Sequence, residues 1–151
     1  MNLAQINIAR IRAPLTDPLM ADFVAQLDMV NRTADTSPGF VWRLKSDEGG
    51  ASSYVRFSDD EHIIVNMSVW TSIDSLQAFV YRTHDHAAVL RDRLRWFEPL
   101  GGPPFALWWI PAGHIPSLDE GRRRLERLTR EGPTAEAFTC KRQFTPDEAS
   151  V

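Results

Sequence analysis

Residues 62–70 read HIIVNMSVW, and this alternation limits the fold more than any other feature of the chain. Successive side chains of a strand point to opposite faces. Ile63, Val65, Met67 and Val69 therefore share one face, and Ile64, Asn66, Ser68 and Trp70 the other. LAQINIARI (3–11) alternates in the same way. Ala4, Ile6 and Ile8 fall on one side; Leu3, Gln5, Asn7 and Ala9 fall on the other. Two further apolar runs, FVWRL (40–44) and PFALWWIP (104–111), complete four expected strands. SYVRF (53–57) reads as a short strand or as irregular chain, and AFTCKRQF (137–144) as a final edge strand.

Helical spacing fills the gaps. Asp17 is a good N-cap with Pro18 at the first helical position, ahead of a stripe of Leu19, Phe23, Leu27 and Val30. Ser37-Pro38-Gly39 ends that helix. Thr71 or Ser72 caps a second, with Ile73, Leu76, Phe79 and Val80 inward. A further segment carries Leu90, Leu94 and Phe97. Ser117-x-x-Glu120 has the form of a capping box for a last helix, with Leu118, Leu125 and Leu128 inward and Gly132-Pro133 at its end. The order β-α-β-β-α-β, then an added helix, predicts an α+β, ferredoxin-like antiparallel sheet with its helices on one face. Residues 1–145 form a single expected domain, with a polar, frayed tail at 146–151. Such a layout leaves the other face bare. Trp70, Ile64, Phe40 and Trp42, or their neighbours, are the residues expected there. Apolar surface in water costs about 25 cal/mol per Å². A homodimer that packs two such faces together, as a dimeric α/β barrel with a cavity between the sheets, removes that cost.

Composition excludes several classes. The 151 residues carry a net charge of −3, so no nucleic-acid partner is expected. The arginines Arg122, Arg123, Arg124, Arg127 and Arg130 alternate with Glu120, Glu126 and Glu131, as on a solvated helix face. Cys140 is the only cysteine, which rules out an intrachain disulfide and an all-cysteine zinc site. No apolar run approaches the roughly 20 residues of a membrane span, so a cytoplasmic location without membrane contact is the expectation.

A resemblance supports this architecture. SVWTSIDSLQAFVYRTHDH looks like the strand–helix segment of the dimeric α/β-barrel superfamily. Its antibiotic-biosynthesis monooxygenase branch shows a strand ending in Trp, an acidic and apolar helix, and a His. The chain resembles still more the DUF3291-type family of unknown function, through LAQINIA, IVNMSVW, FVYRTHDHAAVLRDRLRWF, LWWIPAGHIPSLDEGRRRLERL and GPTAEAFT.

The candidate site follows from the strands. Gln5 and Asn7 on one strand, and Asn66, Ser68 and Trp70 on another, put four polar side chains and an indole on one buried face. They need partners. Either they bond one another and water, or they hold a small-molecule ligand. Asn, Gln and Ser donate and accept without titrating, so they can hold a carbonyl or phenol and stabilise an oxyanion. Tyr81, between two helical segments, is a further candidate to close over a ligand. His84 and His86 flank Asp85 in VYRTHDH. Two apart on a helix, they splay by about 200° and do not chelate one metal. Thr83 reads as the N-cap there, with Asp85 in the first turn. One histidine remains open to a catalytic role as general base. The resemblance leaves a second option, a single axial haem ligand. No phosphate loop, catalytic triad or zinc spacing is present. The expected function is thus small-molecule chemistry without a cofactor, of the monooxygenase kind, on an aromatic or polyketide-like compound. The alternatives are a binding or sensor module and a haem protein.

Overall fold

The computed structural model describes residues 1–46, 51–83 and 93–149. Five strands form one antiparallel sheet: β1 (Asn2–Ile11), β2 (Phe40–Arg43), β3 (Ile63–Trp70), β4 (Phe97–Glu98) and β5 (Phe105–Ile110). The order across the sheet is β2-β3-β1-β5, and the short β4 pairs with Arg10 and Ile11 beyond the end of β5. This is the ferredoxin-like order. The two alternating segments are central neighbours, in a register that sets Gln5 opposite Ser68 and Asn7 opposite Asn66.

The caps come from local chemistry. Asp17 accepts from the Leu19 amide at 2.8 Å and starts a 3₁₀ turn, Pro18–Met20, that leads into α1 (Ala21–Asp35). Ser72 Oγ accepts from the Ser75 amide at the start of α2 (Ile73–Thr83). Ser117 Oγ accepts from the Glu120 amide at the start of α3 (Leu118–Glu131). Gly39 turns the chain between α1 and β2 at φ 84°, a left-handed conformation that glycine adopts freely.

The main departure from the sequence reading is the covering of the sheet. Helices lie on both faces. α1 and α2 cover the face of Leu3, Gln5, Asn66, Ser68 and Trp70, where Ala34, Leu76 and Phe79 pack. α3 covers the opposite face, and Leu125 and Leu128 join Ala4, Ile6, Met67 and Trp108 in its core. Gly121 is what lets α3 come so close. A Cβ there would lie 2.8 Å from Ile6 Cδ1 and 2.9 Å from Met67 Sδ. The wall expected to be bare is therefore covered by α1 and α2, and the one behind it by α3. The expected inter-sheet cavity loses its reason, and so does the homodimer as argued from it. Trp70 and Ile64, expected on the bare side, are buried beneath the α1/α2 layer.

Smaller corrections have equally local causes. A bulge between Phe40 and Trp42 turns these two rings to opposite faces, so they do not share one. Phe40 packs with Trp70, whereas Trp42 packs on the α3 side. Met20 rather than Leu19 anchors the start of α1: Met20 is fully buried, while Leu19 is exposed. Residues 52–54 form a 3₁₀ turn. The expected edge strand at 137–144 reduces to one bridge, in which Phe138 and Leu107 exchange both backbone hydrogen bonds. In the tail, Thr145 and Glu148 cap each other across a short helical turn, Pro146–Ala149, where a frayed end was expected. Among the described residues, no helix is long and apolar enough to cross a membrane.

Candidate functional site

β1 and β3 bring Gln5, Asn66, Ser68 and Trp70 into one bonded row. The Gln5 amide nitrogen donates to Asn66 Oδ1 at 2.7 Å and to Ser68 Oγ at 2.8 Å. Trp70 Nε1 donates to the same Ser68 oxygen at 2.8 Å. Ser68 Oγ thus accepts twice and keeps its own hydrogen to give. Asn66 is held by its oxygen, so its Nδ2 group, a double donor, turns away from Gln5. Among the described residues it has no hydrogen-bond partner. Trp70 is fixed from both sides: it stacks on Phe79 at 5.0 Å and meets Phe40 edge-on at 5.6 Å.

Burial along this row is uneven. Gln5 and Ser68 are buried, Asn66 is half-buried, and Asn7 is exposed. Asn7 sits on the central strand, flanked by Asn66 and Phe105. A central-strand residue on a helix-covered face can be exposed only where the helix layer stands off the sheet. The α1 side chains above it agree, for Phe23, Val24, Leu27 and Val30 are only half-buried. The polar row therefore runs from buried at Gln5 and Ser68 to solvent at Asn7, with Asn66 at the boundary between buried and wet. The five residues do share a face, as expected; α1 and α2 roof it rather than a second sheet.

The remaining candidates separate. Tyr81 is 73% exposed on α2 and does not pack with the row. His84 and His86 lie outside the described residues, as does Asp85. Thr83, expected to cap a new helix, is the last residue of α2, and its hydroxyl donates to Phe79 O at 3.0 Å. Arg82 ties the end of α2 to the α1–β2 turn through Ser37 Oγ. The adjacent tryptophans point to opposite faces: Trp108 lies beneath α3, and Trp109 on the other side donates to Phe144 O at 2.8 Å.

A second polar cluster escaped the sequence reading. Glu120 accepts from Trp108 Nε1 at 3.0 Å and pairs with His114 Nε2 at 2.7 Å. Burial pushes its carboxyl up, but the bonds from His114 and Trp108 and the charge of Arg124 outweigh this and hold it below the ordinary glutamate range. The cluster joins the β5–α3 loop, the sheet and α3. Ser117-x-x-Glu120 signalled that Glu120 matters, but as a cap; its carboxylate goes to the sheet instead. Among the described residues, no group of three His, Cys, Asp or Glu side chains is placed to hold a metal.

Among solved structures, SnoaB, a cofactor-independent oxygenase from Streptomyces nogalater, is similar at 18% identity. The match covers 77% of this chain and 98% of that one, with a TM-score of 0.48. A protein provisionally described as an antibiotic biosynthesis monooxygenase, from Chloroflexus aurantiacus, matches at 17% identity over 76% of this chain and 98% of its own, also at 0.48. A protein of unknown function from Nitrosomonas europaea matches at 14%, over 77% and 95%, at 0.47. At such identity and overlap, nothing about this chain's chemistry follows from these likenesses. No curated protein matches the sequence. The family model for the domain of unknown function DUF3291 matches residues 2–151, and the chain belongs to that family.

Proposed function

We propose that the protein binds a small aromatic or polyketide-like molecule between the sheet and the α1/α2 layer, and oxygenates it without a cofactor. The observation that carries this reading is the unspent Nδ2 donor of Asn66. Gln5 fixes its orientation from behind, and it stands at the wet edge of an otherwise apolar face. A preorganised donor of this kind costs no reorganisation when charge develops beside it. The Ser68 hydroxyl lies next in the row, and Trp70, packed between Phe79 and Phe40, holds its oxygen in place from behind.

The chemistry needs a C–H acid such as an anthrone-type methylene. A base removes one proton, and the enolate oxygen accepts from Asn66 Nδ2. The carbanion carbon adds O₂ to give a peroxide. Loss of water then leaves a carbonyl, so CH₂ and O₂ become C=O and H₂O. None of the amides in the row can take the proton. That role is assigned to His84 or His86, and the reading gives Tyr81 a place at the rim.

Oxygen uptake with an anthrone- or quinol-type substrate tests the reading, together with Asn66→Ala. Loss of one oxyanion donor lowers kcat by about 10²–10³. Uptake in the native chain that falls this far, with the melting temperature kept, is the expected result. Ligands that bind in a thermal-shift screen without turnover would leave a binding module in its place. Turnover indifferent to Asn66→Ala would remove the site.

A further inference from the structure

The α3 face of the sheet carries a separate cavity of about 510 Å³, away from the Asn66 row. Ile8, Phe57, Leu100, Pro103 and Leu125 make its apolar floor and walls. We propose that it binds a small carboxylate with an apolar body, seated on this floor with its charge against the arginines of α3.

The polar lining leaves few groups to recognise a ligand. Thr129 Oγ1 is committed to Leu125 O at 2.8 Å, and Ser58 Oγ bonds to Asp60 O at 3.3 Å. Arg122 and Arg130 remain, one at each end of the rim, with Glu126 between them. Within the lining itself the two guanidinium groups outnumber the one carboxylate, while Asp119 and Glu131 lie against them from outside it. The Arg122 guanidinium is held in place: its carbon lies 4.9 Å over the Phe57 ring, it donates to Phe57 O, and its other contact, to Asp119, is 3.3 Å long. Arg130 is 68% exposed and reaches Glu131 only at 3.5 Å. Both guanidinium groups thus keep donors that a carboxylate oxygen can take. The mouth is bounded by Gly101 and Gly102, whose amides make no backbone hydrogen bond among the described residues. An uncharged apolar body would leave both guanidinium groups unmatched. A dianion would meet Glu126. A single negative charge on an apolar body fits both.

The same glycines supply the test. A Cβ at Gly101 meets nothing within 4 Å, one at Gly102 lies 3.8 Å from Thr129 of the lining, and neither glycine has a positive φ, so Gly101→Leu and Gly102→Leu add bulk at the cavity without straining the backbone. Titration calorimetry with 2-naphthoate is run on the full chain, and 2-naphthylmethanol serves as the neutral match. The acid is expected to bind and the alcohol to bind less well. Gly101→Leu should abolish binding, and Arg130→Gln should weaken it about three- to fivefold, the range of an exposed charge contact. Gly102→Leu is measured beside Gly101→Leu and should abolish binding as well. The proposal is overturned if millimolar acid does not bind, if acid and alcohol bind alike, or if both blocking variants leave the affinity unchanged. Loss of binding with Asn66→Ala instead would put the acid on the opposite face and overturn it as well.

Discussion

Ser68 shows how much one side chain can settle. Its oxygen is the shared acceptor of Gln5 Nε2 and Trp70 Nε1. Ser68→Ala therefore strands two donors where water is scarce, and each unmet buried donor costs about 1–3 kcal/mol. The Gln5 amide keeps its bond to Asn66, so the loss is expected near the lower end, about 1–3 kcal/mol in total, read as a lower urea midpoint at unchanged slope. A midpoint within error of the native chain would mean that the row is not closed as described. The type of each residue in this row, and its face, were legible in the alternation of β1 and β3. Which amide donates to which oxygen was not, because that depends on a register between segments sixty residues apart in sequence. The histidines of VYRTHDH drew notice as titratable groups; His114 of PAGHIP read as a loop residue with a hydrogen bond, but its partner Glu120 was not legible, because that side chain read as part of a cap.

At the scale of elements, α3 decides the packing. It is the most strongly two-sided of the described helices, with Leu125 and Leu128 inward and its arginines outward. Its contact with the sheet passes through Gly121, above the fully buried Ile6 and Met67. Gly121→Val sets a branched side chain where even a Cβ is too close. Overpacking of this kind costs about 1–3 kcal/mol, and the better helix propensity of Val than Gly offsets only a few tenths of a kcal/mol of it. A drop in melting temperature of several degrees is expected, while the same change at the exposed Gly101 should shift it little. Equal effects at both positions would argue against the close approach of α3. The helix and its N-cap were readable in advance from Ser117 and the leucine spacing. Its destination was not, since a helix with one apolar stripe fits either face of a sheet whose two sides are both apolar.

Over the whole molecule, the acid side of the stability curve belongs partly to Glu120. Its folded pKa lies below the 4.5 of an unperturbed glutamate. Between the folded and unfolded values the unfolded chain binds more protons, so stability rises with pH there. The contribution is complete above the unfolded value and is lost as pH falls through the folded one. The native chain should lose urea resistance below about pH 4.5, and Glu120→Gln should be less stable near neutrality but flatter across that window. Parallel curves for the two proteins would show that the pair with His114 does not act in stability. Asp35, lowered by its hydrogen bond from Arg43, adds a slope of the same sign.

The sequence alone determined the elements, their order and their caps, and hence an α+β chain of ferredoxin-like order with a polar row at the centre of its sheet. These features follow from interactions within a few residues: alternation, helical spacing, a Ser or Asp before a first turn, a glycine after a last one. Only the tertiary structure decided which helix covers which face, where the sheet bulges, and that the polar row runs out to solvent at Asn7. Burial of apolar area is non-directional, so a strand that is apolar on both sides does not say what will lie against it. Excluded volume decides that, at contacts such as Gly121 on Ile6 and Met67, and such contacts exist only once distant segments have met.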